Sequence, residues 1–159
     1  MAEPTLAPQI DFYDADLLLW TQEQARLLRE KRFDELDLGN LVDEVESVGK
    51  SQRSEVENRL VVLLAHLLKW RTQPGARSSG WRGTIIEQRR RLARAITISP
   101  SLRDYPAEVF IECYLAGRLQ AAAETGIDFT LFPEQPPFTV EQALDDGFLP
   151  KEPDLYDQS

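Results

Sequence analysis

Residues 59–92, RLVVLLAHLLKWRTQPGARSSGWRGTIIEQRRRL, decide the fold. The first part is apolar almost without interruption. Val56, Leu60, Leu63, Leu64, Leu67 and Trp70 recur at helical spacing, and Val61, Val62 and Ala65 carry the apolar surface round the other sides. A helix that is apolar nearly all round belongs inside a bundle. Pro74-Gly75 ends it, and a tryptophan-led helix rich in arginine follows. The spacing predicts a central helix over about residues 52–72 in an all-α, single multihelical bundle. The run from Leu60 to Leu68 falls well short of the ~20 residues a membrane span needs.

Outward from this centre, punctuation residues divide the chain. Asp14 or Asp16 can cap a first helix reaching about Lys31, and Asp37 a second from Leu38 to Val48, ended by Gly49. Leu41, Val45 and Val48 give that second helix an apolar stripe, read as buried. Ser51 can cap the central helix, and Ser78 or Ser79 a fourth running to Thr97, where Ser99-Pro100 breaks the pattern. A fifth spans about 105–125, with Pro106 in its first turn and Gly126 after it. Thr139-Val-Glu-Gln142 has the form of a capping box, so a short sixth helix should follow and stop at Gly147. Residues 1–13, with Pro4 and Pro8, are expected to form an extended arm, 14–150 a single helical domain, and 151–159 an acidic tail. No strand or repeat is evident.

The chain has 159 residues and a net charge of −9, distributed unevenly. Residues 1–49 carry −8, residues 50–103 carry +9, and residues 104–159 carry −10. One expectation is that the acidic ends neutralise the basic middle. The other is a basic face for a phosphate-bearing partner, because screening over about 8 Å lets a patch act despite the net charge. Cys113 is the only cysteine, which excludes an intrachain disulfide and suits a reducing cytoplasm. The start, MAEPTLAPQIDF, lacks the basic and apolar regions of a secretory signal.

Several segments together resemble a bacterial family, domain of unknown function 29. They are WTQEQARLL from Trp20, RFDELDLGNL from Arg32, RLVVLLAHLLKW from Arg59, Trp81 through Gln88, Ser99-Pro-Ser-Leu102, and Phe148-Leu-Pro150. The resemblance covers about residues 11–150. It implies an all-α bacterial domain and carries no activity with it.

The candidate sites compete with structural explanations. Val48-Gly49-Lys50-Ser51 ends like a phosphate-binding loop, yet position 44 is Glu where that motif requires Gly, and a helix rather than a strand precedes it. His66, the one imidazole, is read as a neutral core histidine, with a catalytic base as the alternative. One His and one Cys are too few for a zinc site. The Glu-x-x-His pattern of di-iron bundles fails because position 63 is Leu. Asp43, Glu44 and Glu46 invite a magnesium reading, but only Glu44 borders an apolar stripe. In the fourth helix Trp81, Ile85, Leu92 and Ile96 mark the buried side, and Gln88 and Arg89 share that arc. An inward guanidinium must be paired, so Glu44 is expected to meet Arg89, with His66 close by. Arg90, Arg91 and Arg94 point outward and join Arg77 and Arg82 as candidates for phosphate.

These residues support a protein-interaction or adaptor module in a bacterial cytoplasm, with no cofactor motif, rather than an enzyme. The alternative is nucleic-acid or nucleotide binding through Arg77, Arg82, Arg90, Arg91 and Arg94. The third reading is a metal-dependent hydrolase built on Glu44, His66 and Arg89.

Overall fold

The computed structural model describes residues 12–153, and they are helical throughout, with turns between. The helices are α1 (Phe12–Ala15), α2 (Leu17–Arg29), α3 (Leu38–Thr72), α4 (Ser79–Ile98), α5 (Tyr105–Glu108), α6 (Phe110–Thr125) and α7 (Val140–Leu144). No strand occurs among the described residues. Nor is any described helix long and apolar enough to cross a membrane. The all-α class and the long central helix therefore stand.

The capping chemistry acts where the sequence places it. Asp16 caps α2, accepting from the Leu19 amide. Ser78 caps α4, accepting from the Trp81 amide. Thr139 and Gln142 close a reciprocal capping box on α7. Gly126 ends α6 in the left-handed conformation, at φ 71°. Near the N-terminus, Phe12 and Tyr13 are already helical, and residues 1–11 of the expected arm lie outside the described residues. Residues 154–159 of the acidic tail lie outside them too.

Two boundaries differ. The helix expected over about 105–125 is interrupted at Val109, giving α5 and α6. The second and third helices expected from the sequence are one, α3, 35 residues long. Gly49 has ordinary negative φ, and Ser51 lies inside the helix rather than capping it. A helical glycine costs only about 1 kcal/mol relative to alanine. No proline lies in this stretch, and Glu44, Glu46, Lys50, Gln52 and Arg53 are good or tolerable helix formers, so the glycine is carried through.

The residues read as one domain over 14–150 group into two compact units, Met1–Gly49 and Lys50–Ser159. In the first, Trp20, Gln24 and Leu27 of α2 are the buried side chains among the described residues. The Trp20 Nε1 donates to Asp37 Oδ2 at 3.0 Å, and the Asp37 amide donates to Gln24 Oε1 at 2.9 Å. Asp37 also accepts from Asn40 at the start of α3. Tyr13 stands edge-on to Trp20 and donates its hydroxyl hydrogen to Glu44 at 2.7 Å.

The second unit holds the main core. Val56, Leu60, Leu63, Leu64, Leu67 and Leu68 of α3 are fully buried. They cluster with Ile85 and Leu92 of α4, Cys113, Tyr114 and Ala121 of α6, and Phe132, Phe138 and Ala143 beyond it. Gly117 lets α6 approach α3 closely: a Cβ there would stand 3.2 Å from both the Ala65 amide nitrogen and Leu64 Cβ. The irregular path after α6 is tied to this core by its carbonyls. Tyr114 donates to Pro133 O at 2.7 Å, and Arg118 to Phe132 O at 2.9 Å.

The two glycines should therefore respond oppositely to alanine. Gly117→Ala presses its new Cβ against the α3 backbone and should cost about 1–3 kcal/mol. At Gly49 an added Cβ meets nothing within 4 Å, so Gly49→Ala should leave stability unchanged or raise it by up to about 1 kcal/mol. Urea melts of the two variants provide the comparison.

Candidate functional site

The first unit leaves much of its apolar surface uncovered. Leu41 is half-buried, but Val45 is 71% and Val48 61% exposed, so the stripe read from the sequence as buried is in large part a surface feature. Leu38 and Val42 are exposed beside it. On α2, Leu18 and Leu28 are exposed, and Thr21 and Ala25 lie between them. Leu28, Leu41 and Val45 line two adjoining grooves between α2 and the start of α3. One is closed by Leu36, Leu38 and Val42, the other by Trp20, Ala25 and Val48.

This exposure has a local cause. The inward face of α2 is Trp20, Gln24 and Leu27, at spacings of four and three. Leu18, Thr21, Ala25 and Leu28 form a second row about a third of a turn away. One two-helix crossing can cover only one row per helix, and the second remains in solvent.

The polar candidates are accounted for within their own units. Glu44 accepts from Tyr13. Arg89, 3% exposed, donates to three main-chain carbonyls: Ala143 O at 2.8 Å, Asp146 O at 3.4 Å and Phe148 O at 2.8 Å. Glu44 and Arg89 thus each have partners within their own unit. The inference that a buried guanidinium needs partners holds, but carbonyls meet the need as well as a carboxylate does. Burial pulls the Arg89 pKa below its ordinary value, with Asp146 and Asp145 acting the other way.

His66 is buried, and its Nδ1 lies 2.9 Å from the Val62 carbonyl. A carbonyl only accepts, so Nδ1 carries the proton of a neutral ring. Burial holds the imidazole below its ordinary pKa of 6.5, and Lys69 adds to this, while the Val62 bond and Glu124 oppose it. Lys69 is itself a feature that sequence reading passed over. Buried by its stem, it pairs with Glu124 at 2.6 Å and sits 4.7 Å from the centre of the Trp81 ring. Its position at the border of the apolar run, one turn from His66, was the available signal. Arg118 was missed too, since nothing local announces a guanidinium that donates to carbonyls eleven to fourteen residues on.

The basic candidates divide. Arg90 and Arg91 both bond Glu87, whose carboxyl they hold down at about 2. Arg77 lies over the Trp70 ring, donates to the Trp70 carbonyl, and reaches Glu152 at 3.3 Å. Arg82 and Arg94 are exposed, and neither takes part in an ion pair among the described residues. Arg90, Arg91 and Arg94 line one shallow groove with Glu55. No group of three or more His, Cys, Asp or Glu residues able to hold a metal ion occurs among the described residues. Burial pushes the Cys113 thiol up to about 11, far from the range of a reactive thiolate.

With this geometry in place, the relationships are clear. The chain belongs to the family described as Domain of unknown function DUF29, whose model matches residues 12–149. No curated protein and no solved structure matches it.

Two stability measurements follow. In Arg89→Lys one nitrogen replaces the three that reach the carbonyls, so the change should cost about 2–4 kcal/mol in a urea melt. For His66 the folded pKa lies below the unfolded 6.5. Its neutral form therefore contributes fully above pH 6.5, and that contribution drains away as pH falls towards the folded value. Wild type should lose stability between pH 7 and 5.5 more steeply than His66→Gln. Parallel curves for the two proteins would contradict this.

Proposed function

We propose that the chain is a protein-interaction module whose working face is the apolar side of α2 and the start of α3. One observation carries the reading. The described part of the first unit buries three side chains, while Leu18, Leu28, Leu38, Val42, Val45 and Val48 remain exposed, all but Leu18 lining the two adjoining grooves. Contiguous apolar surface of this kind costs solubility and marks a place where another surface docks. The family resemblance and the single buried thiol support a bacterial cytoplasm as its setting.

Nucleic-acid binding is the second reading, favoured by Arg82 and Arg94, which take part in no ion pair among the described residues, and by the groove that Arg94 shares with Arg90 and Arg91. Glu87 and Glu55 weigh against it, because they place carboxylates in the same patch. The hydrolase reading has less support: Glu44 and Arg89 each have their own partners, and the His66 ring bonds its own helix.

Photo-crosslinking distinguishes these readings. A benzophenone amino acid at Val45 in the full chain should yield protein adducts inside the producing cell, and the same group at the exposed Ala93 of α4 should not. Equal yields, or none, would overturn the interaction reading. In parallel, sub-micromolar binding to a 30-nucleotide DNA at low salt, lost in the Arg90→Gln, Arg91→Gln, Arg94→Gln triple variant, would favour nucleic acid. Its salt slope would flatten by about 0.9 for each phosphate of duplex DNA that the variant no longer neutralises.

A further inference from the structure

The exposed face has a pattern that fits a copy of itself. On α2 the row is Leu18, Thr21, Ala25, Leu28, and on α3 it is Leu38, Leu41, Val45, Val48. Both rows run at spacings of three, four and three, the seam of helices packed side by side. All of these residues except Leu18 line the same pair of grooves. We propose that two copies of the chain associate through this face about a two-fold axis, α2 against α2 and α3 against α3, each pair antiparallel. The proposal rests on the interaction reading above and names the partner.

Self-complementarity is the first argument. Antiparallel pairing sets Leu38 against the partner's Val48 and Leu41 against the partner's Val45, so every large residue of the α3 row meets another. On α2 the same operation sets Leu18 against the partner's Leu28 and Thr21 against the partner's Ala25. A face that closes on itself this way suits an isologous dimer.

Charge is the second. Neither apolar row carries a charged side chain, so pairing the rows sets no like charges of the rows against one another. Arg26 and Arg32 already hold Glu23, Glu30 and Glu35 within their own copy. The carboxylates flanking the α2 row are thus largely neutralised within their own copy and do not repel an approaching second one.

Area is the third. Six exposed large side chains, with Leu41, Ala25 and Thr21, present roughly 400 Å² of apolar surface per copy, at about 60–120 Å² for a whole aliphatic side chain. With a polar rim in the usual proportion the pair would bury about 1,300 Å² in all, inside the range of specific complexes.

The test uses the full chain. Sedimentation equilibrium at about 100 µM should give twice the chain mass. Val45→Glu should give a monomer with unchanged helical circular dichroism, because position 45 is exposed and glutamate is a better helix former than valine. Oxidising the Leu38→Cys, Val48→Cys double variant should yield covalent dimer. Ten residues along one helix separate the two thiols by about 15 Å, which excludes an intrachain bridge. The buried Cys113 stays unreactive. A monomeric wild type, a dimer that survives Val45→Glu, or no disulfide-linked dimer from the double variant would overturn the proposal. Photo-adducts at Val45 of a mass other than two chains, alongside a monomeric wild type, would preserve the interaction reading and rule out self-association.

Discussion

A helix that is apolar on every side has to be surrounded, and the second unit is built around that requirement. From Leu60 to Leu68, α3 offers water no face it can keep, and two antiparallel neighbours would not cover it. The chain therefore supplies α4, α6 and an irregular segment from about residue 127 to 150. The irregular part brings a second demand, since its carbonyls lack helical partners. Long donors on the regular elements meet it: Arg89 from α4, and Tyr114 and Arg118 from α6. The buried polar groups follow from the apolar ones.

The start of α3 obeys a different rule. From Val45 to Glu55 every residue is exposed, although the helix is unbroken. Here local propensity and continuity with a well-packed helix hold the backbone, while burial contributes little. The same helix thus changes from core to surface along its length, with no change in secondary structure to mark the transition.

Most of the architecture was legible because it rests on local signals. Asp16, Ser78, Thr139 with Gln142, and Gly126 act through neighbours three or four residues away, which a sequence displays directly. The long apolar run left little choice of location for α3. Two readings failed for one reason. Gly49 looked like a stop because glycine often is one, and Val45 and Val48 looked like core because periodic apolar residues usually are. Periodicity identifies a face, but it does not say whether this chain or another covers it. The partners of Arg89 were illegible for a related reason, since carbonyls are present at every residue and leave no mark in a sequence. Charge was partly legible: the basic middle is answered by Glu124 and Glu152 from the acidic C-terminal stretch, yet Arg90 and Arg91 turn to Glu87 on their own helix.

The Arg89 latch has a consequence for how such a chain can diverge. It grips main chain, so it is indifferent to which side chains stand on the loop. Asp145, Asp146 and Gly147 are exposed and can drift with the surroundings, provided the loop keeps its course. The arginine has no such latitude: lysine carries all its donors on one nitrogen, which cannot stand within reach of three separated carbonyls, and an apolar residue would strand three acceptors. The information that fixes the end of the fold is thus concentrated at one position on α4, more than fifty residues before the segment it holds, and mutation can rewrite the loop freely only while that distant position is kept.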